Sequence, residues 1–357
     1  MLIPLFLLVG FGAAVLYSAA GGKVDPFASS HLIRFCVFLL MASIIASLPR
    51  QFVRFMTYPA YVIVLLLLIG VEILGNVRGG SQRWLDLGFM VLQPSELMKP
   101  VIVVTLAQFY ASLPVGMILS WRALLVPGVL IALPVSLVLL QPDLGTSLAI
   151  AFGGAMVMLL AGLPMKWFIG GSLAAIAAAP LVFFFGLQDY QQRRVLTMFD
   201  PEADALGAGY HINQSKIAIG SGGIFGKGFN NGSQSHLQYL PEPQTDFVFA
   251  TMAEEWGLLG GLFVLAVFAV ILSWGLRVAR ASHDRFASLL AAGMVATIFF
   301  YVAVNLMMVM GMAPVVGIPL PFMSHGGSSM MTNMICIGAL MMVNRWNREA
   351  PRYGLAG

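Results

Sequence analysis

The chain has 357 residues, 59% of them hydrophobic and only 10% charged, against about 25% charged in an average soluble protein. With a mean hydropathy of +0.89 and a net charge of +4, it has too little polar surface to cover a globule in water. Intrinsic disorder, a nucleic-acid-binding module and a disulfide-stapled secreted domain are excluded, and the chain reads as an integral membrane protein. Its two cysteines, Cys36 and Cys336, lie inside apolar runs without CxxC or Cys/His spacing, so neither a redox role nor a structural zinc site is indicated.

A membrane helix needs about 20 apolar residues. Candidate spans fall near 2–20, 32–48, 55–74, 94–112, 123–140, 144–163, 167–187, 247–276, 286–311 and 327–344. The first lacks a basic n-region and reads as a retained span, not a signal peptide. The stretch 286–344 has no Asp, Glu, Lys or Arg but is too long for one helix. PVVGIPLPFMSHGG divides it, because its prolines and glycines cannot continue a helix. The expected fold is therefore all-α and polytopic, with about ten transmembrane helices in one membrane domain over 1–357.

An even number of spans puts both termini on one side. With the ends inside, the short inner segments hold Arg50, Arg54, Arg122, Lys166, Arg277, Arg280, Arg285, Arg345, Arg348 and Arg352. The short outer ones hold Lys23, Arg34, Arg78, Arg83 and Lys99. Ten against five favours cytoplasmic termini. The segment 189–246, between the seventh and eighth spans, then falls outside. A loop of that length is usually functional, and short helices at the membrane surface are expected in it, not a separate domain. Its GSGGIFGKGF run fails the phosphate-loop pattern: Ser221 takes the first glycine position and Gly228 stands where Ser or Thr is needed. A flexible surface loop is the plainer reading, although its amides have the means to touch an anion. No internal repeat is evident.

Ionisable residues in or beside spans are costly and default to functional candidates. Glu96 and Lys99, three apart in QPSELMKP, can pair on one face of the fourth span. Asp143, between Pro142 and Gly145, reads first as a turn and cap for the sixth helix. Asp246 follows the long loop at the mouth of the eighth span, with Phe247 and Phe249 beside it. It suits either a helix cap or a general base tuned by its surroundings. Glu254 and Glu255 lie deeper, and pairing with basic residues at the cytoplasmic side is their plainer role. His211, His236 and His325 share no metal-ligand spacing.

The runs GSQRWLDLG, QPSE, QPDLGTS, DPEADALGAGYHINQSKIAIGSGGIFGKGF, LPEPQTDFVFATMAEEWGLLGG and MAPVVGIPLPFMSHGGSS together resemble the SEDS family (shape, elongation, division and sporulation proteins). Their order and intervals fit nearly the whole chain. The DPE…GAGYHINQSKIAIGSGG wording leans to the elongation branch over the division branch. Two departures stand out: His325 replaces the family's usual tyrosine in Ser-Tyr-Gly-Gly, and the N-terminal cytoplasmic tail is almost absent.

The resemblance implies a peptidoglycan glycosyltransferase of the bacterial cytoplasmic membrane, with its active site facing the periplasm or cell exterior. It would polymerise lipid II beside a class B penicillin-binding protein, a transpeptidase, with other elongation-complex membrane proteins as further partners. It places the key aspartate of the TDF run at Asp246, and Arg83, Glu96, Lys99, Asp143, Lys216 and Glu242 around the outer cavity. Such chemistry needs a base for the acceptor hydroxyl and positive charge for the departing polyprenyl pyrophosphate, supplied by Lys99, Arg83, Lys216 or a divalent cation such as Mg or Mn. Two other classes compete: a lipid-linked precursor flippase or transporter, and a non-catalytic scaffold for a cell-wall synthase. Against a transporter, the polar residues gather on one side and no pair of broken helices recurs in two halves.

Overall fold

The structure is a computed structural model that describes residues 1–78, 81–86, 91–114, 116–186, 191–192, 195–197, 208–237, 239–240 and 242–349. Ten long helices among the described residues fall on the ten expected spans. They are α1 (Leu2–Ala19), α2 (Phe27–Ala46), α3 (Arg50–Leu74), α4 (Pro94–Ser112), α5 (Trp121–Leu140), α6 (Leu144–Leu160) and α7 (Met165–Leu181). After α8 (Ala208–Ser221), a helix of the long segment, come α9 (Val248–Arg280), α10 (Arg285–Val309) and α11 (Gly327–Glu349). The chain is thus a polytopic, all-α membrane protein. Apolar side chains such as Ile33, Leu66, Ile176 and Leu262 stay exposed along these helices, as a hydrocarbon solvent allows and water does not.

Six of the ten are long and apolar enough to cross a membrane by composition alone, and α6 and α7 are shorter apolar helices. The remaining two, α4 and α11, are the polar ones. Ser95, Glu96, Lys99 and Thr105 of α4, and Ser329, Thr332 and Asn333 of α11, are all buried within the protein. Glu96 pairs with Lys99, Thr332 donates to Glu96 and Asn333 donates to the Ser329 carbonyl, so polarity that would be costly against lipid finds partners inside the protein.

A feature absent from the sequence reading lies between α3 and α4. Three short antiparallel strands, β1 (Asn76–Arg78), β2 (Ser81–Asp86) and β3 (Val91–Leu92), form a sheet in that order. Arg78 pairs with Ser81 and Leu85 with Leu92. Strands of two to six residues carry too few alternations for the pattern to be read in advance.

The helices group into two compact units. The first comprises 1–33, 164–270 and 301–326; the second comprises 34–163, 271–300 and 327–357. In the first, Phe11 of α1 meets the rings of Trp256 and Phe263 edge-on at 5.2 and 5.4 Å. In the second, α2 and α11 approach so closely that a Cβ on Gly338 would stand 2.9 Å from the Ala42 carbonyl oxygen, the small-residue contact by which membrane helices associate.

The GSGGIFGKGF run is not a loose surface loop. Lys227 and Gly228 donate backbone N–H groups to the carbonyls of Glu254 and Glu255, both at 3.0 Å, and Leu258 and Leu259 donate back to Gly223 and Ile224 at 2.9 and 3.2 Å. The reason is a break in α9. Gly257 has φ +62, which opens the helical ladder, and the glycine run supplies the missing partners. A Cβ on Gly226 would stand 2.1 Å from the Glu255 carbonyl oxygen, so only glycine lets the two backbones meet. The amides of Lys227 and Gly228 are therefore committed and do not form an anion cradle.

Candidate functional site

The candidate residues form one cluster in each unit. In the first, Asp246 sits half-buried just before α9. A Cβ on Gly317 would lie 3.4 Å from its Oδ2. Its own backbone carbonyl accepts from the Asn305 side chain at 2.9 Å, and the same amide nitrogen reaches the Ile318 carbonyl at 2.7 Å. The two preceding carbonyls are also held. Ser324 Oγ donates to Thr245 O at 2.6 Å, and His325 N–H donates to Gln244 O at 2.8 Å. Three consecutive peptide groups of the QTD run are thus pinned to the 305–325 segment, which fixes the root of the Asp246 side chain.

That segment is itself constrained. Ser324 Oγ accepts from Leu320 N–H at 2.9 Å, and buried Phe322 adopts φ +63, a conformation rare for a bulky residue and typical of functional turns. The ring of His325, where the family tyrosine was expected, packs edge-on against Phe27 at 5.2 Å. Glu242 also has a left-handed backbone, φ +48, and its Oε2 accepts from Gln244 Nε2 and Thr245 Oγ1 at 3.2 and 3.3 Å. Lys216 of α8 is exposed and lies across Gly311, its Nζ 2.7 Å from where a Cβ would stand.

Deeper in this unit Glu254 takes a cation that the sequence reading did not name. Glu254 pairs with Lys227 of the glycine run at 2.5 Å, and also accepts from Ser233 Oγ at 3.0 Å and Gln234 N–H at 3.1 Å. Glu255 Oε1 accepts from Ser18 Oγ of α1. The break at Gly257 brings the glycine run alongside, and tertiary packing selects a cation 27 residues back in the chain.

In the second unit, Glu96 and Lys99 form the expected pair, with Nζ 2.5 Å from Oε1 and residue exposures of 6% and 2%. Thr332 of α11 donates to Glu96 Oε2 at 3.0 Å, so the carboxylate has a partner on each oxygen. Asp143 caps α6 by accepting from Thr146 N–H at 3.1 Å, as its place between Pro142 and Gly145 suggests. It also accepts from Gln93 Nε2 at 3.3 Å and faces Arg83 at 3.6 Å. Arg83, projected from β2, donates Nε to Gln141 O at 2.9 Å and Nη2 to Pro142 O. A guanidinium on the two carbonyls just past α5 complements the negative end of that helix. Pro94 starts α4 where its missing N–H costs nothing, which places Glu96 and Lys99 in the first turns.

Among the described residues no three His, Cys, Asp or Glu side chains are grouped closely enough to hold a metal ion. Among those residues a divalent cation would meet one or two carboxylates at most, which is how Mg²⁺ is usually held beside substrate phosphates. The sequence reading missed Asn305, Gln93, Thr332 and Ser324. Asn305, fully buried in a charge-free stretch, was the one with a signal: a lone amide among apolar residues needs partners.

Over residues 1–349 the chain matches the model of the FtsW/RodA/SpoVE family, described as cell cycle protein. It is 40% identical over 347 residues to the peptidoglycan glycosyltransferase MrdB of Escherichia coli K12, covering 96% of this chain and 92% of that protein. Its fold is similar to a chain of a solved peptidoglycan synthase complex that coordinates polymerization and crosslinking, with TM-score 0.82, 30% identity and coverage of 97% and 98%. It is also similar to RodA, the rod shape determining protein of Thermus thermophilus, with TM-score 0.72, 29% identity and coverage of 96% and 95%. The match to the family model is nearly end to end, and the chain belongs to the FtsW/RodA/SpoVE family of polytopic membrane proteins.

Proposed function

We propose that this chain is a peptidoglycan glycosyltransferase that polymerises lipid II into glycan strands during cell elongation, with Asp246 as the general base. Its kinship with MrdB carries the reaction class. The observation that carries the base is the pinning of Gln244, Thr245 and Asp246 by His325, Ser324 and Asn305. A carboxylate half-open to its surroundings, on a backbone that cannot drift, meets the positional demand of proton abstraction.

In this reading Asp246 takes the proton of the acceptor hydroxyl as that oxygen attacks the anomeric carbon of the donor. The bond to polyprenyl pyrophosphate breaks with its electron pair on the phosphate oxygen. One displacement turns the donor's α-linkage into a β-linkage. Pyrophosphate is a good leaving group, so the site needs positive charge more than a strong acid. Lys216, exposed on α8, is the side chain best suited to meet that charge directly. Arg83 and Lys99 are already bound to protein acceptors, and with Glu96 and Asp143 they act by holding the second unit's cluster in shape. A Mg²⁺ or Mn²⁺ ion, if bound with the substrate, would neutralise the pyrophosphate.

The remaining assignments follow the same kinship and the charge bias. The chain works as one domain in the bacterial cytoplasmic membrane, with both termini cytoplasmic and the 189–246 segment outside. Its partner is a class B penicillin-binding protein, as suits a relative found in a complex that joins polymerization to crosslinking. The deciding experiment incubates the purified chain with labelled lipid II, with and without that partner, and resolves polymer on a gel. Polymer from the parent chain and none from Asp246→Asn is the expected result. No polymer under either condition would favour the flippase or scaffold.

A further inference from the structure

Away from both clusters, the second unit has an apolar groove of about 140 Å³ whose position no catalytic role explains. Leu48, Val53, Val101, Leu290, Ala339 and Met342 are among its lining side chains, all apolar. It is close in size to the ~150 Å³ apolar cavities that stay dry and take up hydrocarbon. A sugar or a phosphate has nothing to bind inside it.

One end of the groove is different. Leu48, which lines it, has its carbonyl held by Arg345 Nη2 at 2.7 Å and Trp346 Nε1 at 3.1 Å. Val53, also in the lining, is the neighbour of Arg54. Arg50 stacks over Trp346 at 5.4 Å and Arg54 over Phe286 at 5.0 Å. Asp284 serves both arginines, at 3.6 Å from Arg50 and 2.9 Å from Arg54, and Glu349 stands 3.6 Å from Arg345. Three guanidinium groups against two carboxylates leave one positive charge in excess. These three side chains are 39%, 39% and 37% exposed, and a guanidinium has five N–H donors.

We infer that this groove binds an anionic phospholipid of the surrounding bilayer, with a stretch of one acyl chain in the apolar lining and the phosphate on Arg50, Arg54 and Arg345. A zwitterionic lipid offers the same tail but no net charge, so the cationic end selects the anionic one. In the orientation proposed above, this lipid belongs to the cytoplasmic leaflet. The site is independent of polymerase chemistry.

The test uses the full chain released from nanodiscs that contain equal phosphatidylglycerol and phosphatidylcholine, read by native mass spectrometry. The parent chain should retain one phosphatidylglycerol in preference to phosphatidylcholine. Arg50→Gln should reduce that preference about fivefold, the share of one basic residue near a charged surface. Ala339→Leu, which fills the groove, should abolish retention of either lipid, and Val104→Phe repeats that test from another helix should Ala339→Leu fail to fold. Equal retention of the two lipids by the parent chain overturns the proposal. So does a preference that Arg50→Gln leaves unchanged, or retention that survives the filling variant.

Discussion

The side-chain amide of Asn305 donates to the backbone carbonyl of Asp246 at 2.9 Å, from the last turns of a helix with no charged residue after its first position. The same nitrogen holds Ile318 at 2.7 Å, so one buried amide ties the aspartate's peptide group to the chain break between α10 and α11. Position is thereby imposed on Asp246 through its backbone, while its carboxylate stays half-open. Asn305 is a positioning residue. Asn305→Leu should leave two carbonyls short of a partner, at about 1–3 kcal/mol each where they are buried. We expect a lowered melting temperature and a fall in kcat for polymerisation with KM nearly unchanged. A variant that lost stability but kept the parent kcat would limit Asn305 to the fold.

Asp246→Asn should lower polymerisation by about 10²- to 10⁴-fold, the usual contribution of a general base. The amide keeps the size and one acceptor oxygen but takes no proton at neutral pH. Partner binding and the melting temperature should match the parent chain, since the pinned groups are backbone carbonyls. A near-parent rate of glycan synthesis on the lipid II gel would send the search for the base elsewhere.

Glu96 and Lys99 are buried together with Thr332 on the second carboxylate oxygen. Removing either charge alone leaves the other buried without its counter-ion, a loss of about 3–5 kcal/mol. Glu96→Gln and Lys99→Met should each lower the melting temperature sharply in detergent. The double variant should recover part of that loss, because a buried pair replaced by neutral groups of similar volume is often near neutral in stability. Equal melting temperatures for all three would show the pair to be dispensable.

Gly226→Ala should detach the glycine run from the break in α9, since the new methyl would meet the Glu255 carbonyl at 2.1 Å and the backbone sits at φ +79. Lys227→Met removes the cation from Glu254, which is fully buried. Both variants should show faster hydrogen exchange at Leu258 and Leu259, whose amides bond to the run. Parent-like exchange in both would mean that the docked run is not what stabilises the break.

The orientation can be read by cysteine labelling after replacement of Cys36 and Cys336. Asn231→Cys, at an exposed position of the long segment, should react with an impermeant reagent added to intact cells, and Arg280→Cys should not. The reverse pattern would overturn the proposed topology.

Helix existence was legible because the solvent imposes it. In hydrocarbon every backbone group must bond within its own segment, so an apolar run of sufficient length has one outcome, and all ten long helices follow those runs. Local pairings were legible for a similar reason. Glu96 and Lys99 share a face at i, i+3, and Asp143 stands where a helix must be capped, so each answer lies within a turn of chain. The three-stranded sheet was not legible, because its strands are too short for alternation to register. Nor were Lys227 as the partner of Glu254, or Asn305 as the anchor of Asp246. Those pairs are 27 and 59 residues apart, and nothing in local spacing distinguishes them from other choices. Packing decided them. A break at Gly257 needed backbone partners, and the glycine run that supplied them carried Lys227 to the carboxylate. A lone amide in an apolar helix needed acceptors, and the carbonyls that the chain break left open were within reach. Composition and period determined which segments cross the membrane, while only the folded chain determined which buried polar groups meet, because that choice depends on three-dimensional proximity.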